Sequence, residues 1–525
     1  MALKLSKDDT IFRNELIFTL DAKALNIDYT LINLYMLLKY NGTRPRSGRA
    51  RFFDFERINN IIQGLEENDF LEGFRDNPKA ANYWLRSNLV NLVSRGKADK
   101  EKISSLRPIH LESYKIRNIA HSRDYNSSEQ VYLMLSEQPN IREELKKYLA
   151  EGWDAKQSSI INPEKLDIDS LGILHLTKHI KETALRSANT VNKIKPIFKD
   201  QSNLFCDDIR RLLVYKESIP RNVLIDYLKT IISFHLSLYV QKLIYLLPKI
   251  VSQGNLNIED DWNVTLDLTD NYDSKISELA VKDAELMNNR IYDYIRATFK
   301  INASLNYLGY DRSDSGKLQE ALNEIVNNSE NFERAFESDI RHIIRDLRGS
   351  KEEKEEVKEL IKSLTQFDKT YFDKYVTILV KQKGAYQYKY HLQLIDNLSQ
   401  KNNERGFMAQ GRSKKHPRKY VLGTKLLETL VQILVLDATD THFITRSLSI
   451  DELTQRIRDR YGLIINGVNE KKYQNTDLNT NIAFKENMDA LKNKLRQIGF
   501  YNDLSDAYIL QKVRPRYNVN NSKID

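Results

Sequence analysis

The sequence predicts a mainly α-helical protein built from more than one folding unit. Three observations point there. Glycine and proline, the residues that most often interrupt helices, number only 18 and 10 in 525 residues. A chain so short of breakers and rich in Leu, Ile, Lys, Glu and Asn is most simply built from long helices. The chain is also longer than a single hydrophobic core usually organises.

The pattern divides the chain into an N-terminal helical domain (1–155), a central helical domain (165–400), a basic linker (401–420) and a C-terminal unit (421–520). In the first, the apolar run LINLYMLLKY stops at Asn41-Gly42, a helix-ending pair. RPRSGRARFFDF follows, placing Arg44, Arg46, Arg49 and Arg51 just ahead of Phe52 and Phe53. From Phe55 to about Tyr148 the reading is mostly helical and includes YWLRSNLVNLV. Periodicity breaks at EGWDAKQSSIINP, between Gly152 and Pro163.

In the central unit, Val223 to Ile250 is the most apolar segment. Asp226, Lys229, Lys242 and Lys249 interrupt it, and its longest uncharged run, Thr230 to Gln241, is shorter than the roughly 20 residues a membrane span needs. It reads as a buried core helix, and no membrane partner is expected. WNVTLDLTD alternates Val264, Leu266 and Leu268 with polar residues and predicts a strand. SKEEKEEVKELIKSL carries charge pairs three and four residues apart and predicts a solvated helix.

The lone cysteine, Cys206, excludes an intramolecular disulfide framework and a cysteine-based zinc cluster. The first residues, MALKLSKDDTIFRNEL, carry no secretory leader pattern. Both fit a cytoplasmic protein. The net charge of +9 is mild for this length, so its distribution matters more than its size. The densest cluster is RSKKHPRK in the linker, with Arg412, Lys414, Lys415, Arg418 and Lys419.

The C-terminal unit is the most legible. GTKLLETLVQILVLD predicts a helix with Leu426, Leu427, Leu430, Ile433 and Leu434 on one face. SIDELTQRIRDRYG predicts a second, with Ser449 and Glu452 at capping-box spacing and Gly462 at the stop. IAFKENMDALKNKLRQIG predicts a third, with Phe484, Met488, Leu491, Leu495 and Ile498 inward. A rotation of about 100° per residue gathers Lys485, Lys492, Asn493 and Arg496 on its outward flank, with Asp489 among them. FYNDLSDAYILQKVRPRY then predicts two extended segments about a turn at Asn502 to Asp506, ending in Lys512, Arg514 and Arg516. Three helices and a hairpin is the order of a winged helix-turn-helix, whose third helix enters a DNA groove while linker and hairpin cations meet phosphates. The same architecture also serves protein contacts alone, and charged linkers also serve solubility.

Other candidate chemistry is sparse. His175 and His179 stand four residues apart, but Leu176 occupies the position where a zinc protease carries Glu, so no metal site is expected. No phosphate-binding loop, dinucleotide fingerprint or nucleophile elbow occurs, and no cofactor is expected. KIRNIAHSRDY resembles the R-N-x-x-x-H motif of the HEPN ribonucleases. That resemblance implies Arg117 and His121 as catalytic residues, supported by Asn118. The family leaves four to six residues between Arg and His, whereas only Asn118, Ile119 and Ala120 intervene here. The competing reading is an ordinary amphipathic helix with Ile116, Ile119 or Ala120 packed.

Finally, YVLGTKLLETLVQILVLD, SIDELTQRIRDRYGLII and LKNKLRQIGFYNDLSDAYILQKVRPRY resemble the tails of helical proteins from bacterial anti-phage defence clusters linked to DNA modification or restriction. The resemblance covers roughly the last hundred residues. It implies a non-catalytic subunit that recognises double-stranded DNA or assembles beside separate motor, nuclease or methylase proteins. A ribonuclease and a pure protein scaffold are the alternative expectations.

Overall fold

The computed structural model describes residues 5, 8–45, 54–67, 72–94, 101–178, 180, 189–314, 316–346, 351–439, 442–501 and 512–523. Arg46, Arg49, Arg51, Phe52, Phe53, His179 and the expected turn at 502–506 lie outside them. Among the described residues, helices carry most of the chain, and the strands form small, separate pairings. The N-terminal third holds α1 (Ile27–Lys39), α2 (Phe55–Glu67), α3 (Pro78–Trp84), α4 (Ser127–Leu135), α5 (Pro139–Leu149) and α6 (Ile168–Thr177). The centre holds α7 (Lys199–Leu213), α8 (Arg221–Gln253), α9 (Lys275–Leu308), α10 (Leu318–Asn327), α11 (Glu330–Arg345), α12 (Lys351–Leu364) and α13 (Tyr371–Leu398). The C-terminal part adds α14 (Thr424–Leu434), α15 (Ile450–Tyr461) and α16 (Leu478–Gln497).

Three long helices, α8, α9 and α13, pack side by side and organise the rest. Among the described residues α8 alone is long and apolar enough to cross a membrane, yet 83% of that stretch is buried within the protein. It is an interior helix, as its interrupting charges predict. Buried hydroxyl and amide groups along it find partners. Ser233 Oγ donates to the Leu398 carbonyl at 2.9 Å, Ser237 and Ser399 share a hydrogen bond at 2.7 Å, and Tyr420 Oη donates to Gln241 Oε1 at 2.5 Å. Buried polar groups need such partners, and here they seat residues 398–420 on α8.

The segment expected as a linker is therefore built into the fold. Met408–Ala409 pairs antiparallel with Lys419–Tyr420, and Phe407 and Tyr420 are fully buried. One apolar core includes residues from Leu16 to Val519, with α14 packed on α7 and α8, and α16 on α9. Val264, Leu266 and Leu268 are buried as the strand pattern predicts, but so are the alternating Thr265 and Asp267. Thr265 meets Tyr473 and Asp267 meets Lys419 on the polar side, while a parallel pairing of Val264–Thr265 with Leu463–Ile464 closes the strand's edge. Gly462 makes this possible. It ends α15 at φ +70°, and a Cβ there would lie 2.6 Å from the Trp262 carbonyl oxygen. Asn487 of α16 clips the arrangement together. Its amide donates to the Leu266 and Ile465 carbonyls at 2.8 and 2.9 Å and accepts from the Leu268 N–H at 2.8 Å.

Two helical expectations are corrected. In YWLRSNLVNLV the helix ends after a single π turn at Leu85–Leu89, and Val90–Val93 then pairs with Lys102–Leu106 as a hairpin. KIRNIAHSRDY is not helical either. Arg117 bridges Ser105 at the edge of that hairpin, and Asn118 then turns the chain, its carbonyl accepting from the His121 and Ser122 N–H groups.

Three of the buried histidines, His110, His235 and His391, are held neutral. Burial, with Arg221 nearby, pushes His110 down to about 3, and burial pushes His391 down to about 4. His235 is lowered for the same reason. Because these folded-state values lie below the ordinary 6.5, the unfolded chain binds more protons in acid. The stabilisation is present above pH 6.5 and is lost as pH falls through that value toward 4 and 3, by about 1.4 kcal/mol per pH unit per histidine. The melting temperature is expected to fall steadily from pH 6.5 to 4.5, and less steeply in a His391→Gln variant. A flat profile over that range would contradict neutral burial.

Candidate functional site

The cations singled out in the sequence separate into internal and external groups. Lys419 is 2% exposed. Its Nζ lies 2.6 Å from Asp267 Oδ2 and 3.2 Å from Ser277 Oγ, and 3.6 Å from the centre of the Tyr272 ring. Arg418 is also buried, donating to Asp396 Oδ2 at 2.8 Å and Asn288 Oδ1 at 3.1 Å. Both cations are thus engaged with internal carboxylates, unlike the exposed arm that the sequence suggests. Arg44 is half-buried among Ser128, Asp124 and Glu129, at 2.8, 3.4 and 3.3 Å, and ties α4 to the end of α1.

Arg412, Lys414 and Lys415 are exposed on the loop between the paired strands. On α16, Lys485, Asn493 and Arg496 are exposed, because Asn487, Leu491 and Leu495 fix the opposite face in the core. Lys492 is half-buried and bridges Asp489 at 3.1 Å, and Glu486 and Asp489 share the outward face. Arg496 Nη1 donates to Asn493 Oδ1 at 2.8 Å. Lys512 and Arg514 are exposed. Arg516 is exposed but oriented by Glu428 at 2.5 Å, the Ile498 carbonyl at 2.6 Å and the Phe500 ring at 4.6 Å.

One short segment joins two of these groups. Asp270 lies 3.3 Å from Lys494 of α16, and the Tyr272 ring lies 4.5 Å from the His416 ring of the basic loop, with the planes tilted by 39°. The loop and α16 are thus docked on either side of 270–272. The extended residues after α16 also differ from a simple hairpin. Lys512–Val513 pairs with Leu448–Ser449 before α15, Asn520–Lys523 pairs with His442–Thr445, and the Arg514 N–H donates to the Phe500 carbonyl at 3.0 Å. Half of the expected capping box of α15 is present: Ser449 Oγ accepts from the Glu452 N–H at 3.1 Å, while the Glu452 carboxylate pairs with Arg446.

A second polar centre escaped the sequence reading. Asp208 (α7), His235 (α8), Arg460 and Tyr461 (α15) meet in the interior. Asp208 Oδ2 accepts from His235 Nε2 at 2.8 Å and from Tyr461 Oη at 2.8 Å, and Arg460 Nε donates to Oδ1 at 3.0 Å. His235 Nδ1 accepts from Gln201 Nε2 at 2.9 Å, so the proton sits on Nε2. Burial opposes the charge on Asp208, but the His235 hydrogen bond and the Arg460 guanidinium outweigh it and hold the carboxyl below the usual range. Burial likewise opposes Asp207, and Arg211 and Arg460 overcome it. A cleft of about 580 Å³ opens beside this network, lined by Arg211, Lys242, Arg456 and Arg460 and by Asp200, Asp260, Asp437 and Asp459. The network ties α7, α8 and α15 together. The only sequence cue was one His inside the apolar run SFHLSLYV.

The ribonuclease-like residues are half-buried. Arg117 donates to Asn33 Oδ1, Asn118 Oδ1 caps the turn by accepting from the Ala120 N–H at 3.2 Å, and burial with Arg44 nearby brings Arg117 down to about 10. His175 is buried on α6, and Cys206 is buried with its thiol pushed up to about 12, poorly suited to act as a nucleophile.

A family model described as methylation-associated defense system protein MAD7 matches residues 7–517. The chain belongs to that family. The match extends over the N-terminal and central helices as well as the tail, so the anti-phage defence resemblance seen in the last hundred residues holds for the chain as a whole. No curated protein and no solved structure matches it.

Proposed function

We propose that this family member is a non-catalytic, cytoplasmic subunit that binds duplex DNA through its C-terminal elements and assembles with separate motor, nuclease or methylase proteins. The helix order of α14, α15 and α16, with strands between the first two and after the third, supports a winged-helix-like reading. In it, α16 offers Lys485, Asn493 and Arg496 to a groove, while Lys512, Arg514 and Arg516 meet the backbone. The observation that carries the proposal is the docking of the Arg412–Lys415 loop and α16 on the shared 270–272 segment. Cations far apart in sequence thereby sit on neighbouring elements. The carboxylates Glu486 and Asp489 on the same face favour modest, salt-sensitive affinity over a uniform phosphate clamp. The ribonuclease alternative gains no support, because Arg117 is engaged with Asn33 and its segment is a turn.

Replacing Arg412, Lys414 and Lys415 together with Ala tests the loop. The three are exposed, so the fold is expected to survive. Duplex affinity should fall for every sequence tried, and the slope of log K against log salt should flatten by about 2 to 3. An unchanged slope would remove the loop from the interface.

A further inference from the structure

A surface next to the basic loop has a different chemistry. On α13, Lys381, Ala385, Tyr388 and Leu392 follow one another at spacings of three and four residues and form a ridge. The Tyr388 ring is stacked on Tyr292 of α9, with centroids 4.8 Å apart and planes 14° from parallel. Tyr292 is 44% exposed. A Cβ on Gly384 would stand 3.5 Å from Tyr292 Cε1, so the ring rests across that turn of α13. One turn further along, Leu392 and Asn288 help line a cleft of about 390 Å³ whose other wall is the loop with Arg412, Lys414 and His416. Lys381 and Lys389 are exposed on α13, and Glu285 and Asp293 are the exposed acids of the adjoining stretch of α9.

We propose that this α9–α13 surface binds a single strand of nucleic acid, with an unpaired base continuing the Tyr388–Tyr292 stack and its phosphates led toward Arg412 and Lys414. An exposed aromatic ring in an existing stack suits a flat, apolar-faced group. Lysines beside it suit an anionic backbone. Single-strand binders combine these two features, and a paired duplex cannot offer an unstacked base to them. The acids at 285 and 293 lie on the α9 side, which places the backbone along α13. The surface shares the basic loop with the proposed duplex site but owes nothing to α16, so the two can fail separately.

The test is binding of the full-length protein to a labelled oligo(dT) of about 16 nucleotides and to a duplex of equal length. Tyr292→Ala should weaken oligo(dT) binding by about 10-fold and leave duplex affinity unchanged, whereas Tyr292→Phe, which keeps the ring, should bind as the parent does. Lys485→Glu with Arg496→Glu should do the reverse, lowering duplex affinity while sparing oligo(dT). Duplex binding without oligo(dT) binding would overturn this proposal alone and return the tyrosine surface to a protein partner. Absence of both would overturn it together with the duplex reading. Equal loss on both nucleic acids in Tyr292→Ala would also overturn it. Since Tyr292 is half exposed, an unchanged melting temperature should accompany the variant and separates loss of binding from loss of fold.

Discussion

Arg460→Ala is expected to destabilise the protein by about 3–5 kcal/mol, the usual cost of removing one partner from a buried ion pair. The guanidinium is the charge that Asp207 and Asp208 share, and Asp208 has no exposed surface. Its loss leaves a buried carboxylate supported only by His235 and Tyr461. Because α7, α8 and α15 all meet there, the damage should extend beyond one helix. The neighbouring Asp459 is exposed, so Asp459→Ala is expected to change the denaturation midpoint little. Chemical denaturation of both variants provides the check. A midpoint in Arg460→Ala equal to that of the parent would mean the network is not a structural tie.

Lys419→Ala should be comparably damaging, by about 3–5 kcal/mol, for a related reason. Asp267 is fully buried and also accepts from the Thr269 N–H and Oγ1 at 2.8 and 2.7 Å, so its carboxylate cannot turn to solvent when Lys419 is gone. The result separates two roles within one basic run. Lys419→Ala should lower the melting temperature strongly, while Lys414→Ala and Lys415→Ala, both exposed, should leave it nearly unchanged. Equal melting temperatures for all three would place Lys419 on the surface after all. A double variant, Lys419→Met with Asp267→Leu, is expected to recover much of the loss, since a buried ion pair is replaceable by apolar groups of similar volume.

This contrast shows what the sequence could and could not convey. Helices whose burial follows a local period were visible. The stripes of α14, α15 and α16, the Ser449 cap and the Gly462 stop all sit where spacing puts them, and α8 is interior as its interrupted apolar run implied. Features set by distant partners were not. In RSKKHPRK nothing local distinguishes Lys414, which faces solvent, from Lys419, whose partner is 152 residues away. The strand at Val264–Thr265 was legible from alternation, but its second face is covered by Tyr473 and Lys419, far away in sequence. KIRNIAHSRDY was misread as helical because its apolar spacing fits a helix. The turn is decided instead by Asn118 and by the hairpin edge that Arg117 joins. The tyrosine surface was missed because Tyr292 and Tyr388 belong to two helices nearly a hundred residues apart in sequence, and only packing brings the rings together.

Binding of duplex DNA by the C-terminal elements is tested most directly by affinity across a salt series for the intact protein beside the Arg412, Lys414 and Lys415 triple alanine variant. The intact protein should bind measurably at low salt and more weakly as salt rises, with a shallower dependence in the variant. Absence of binding by the intact protein at low salt, or identical salt dependence in the two, would contradict the proposed duplex binding.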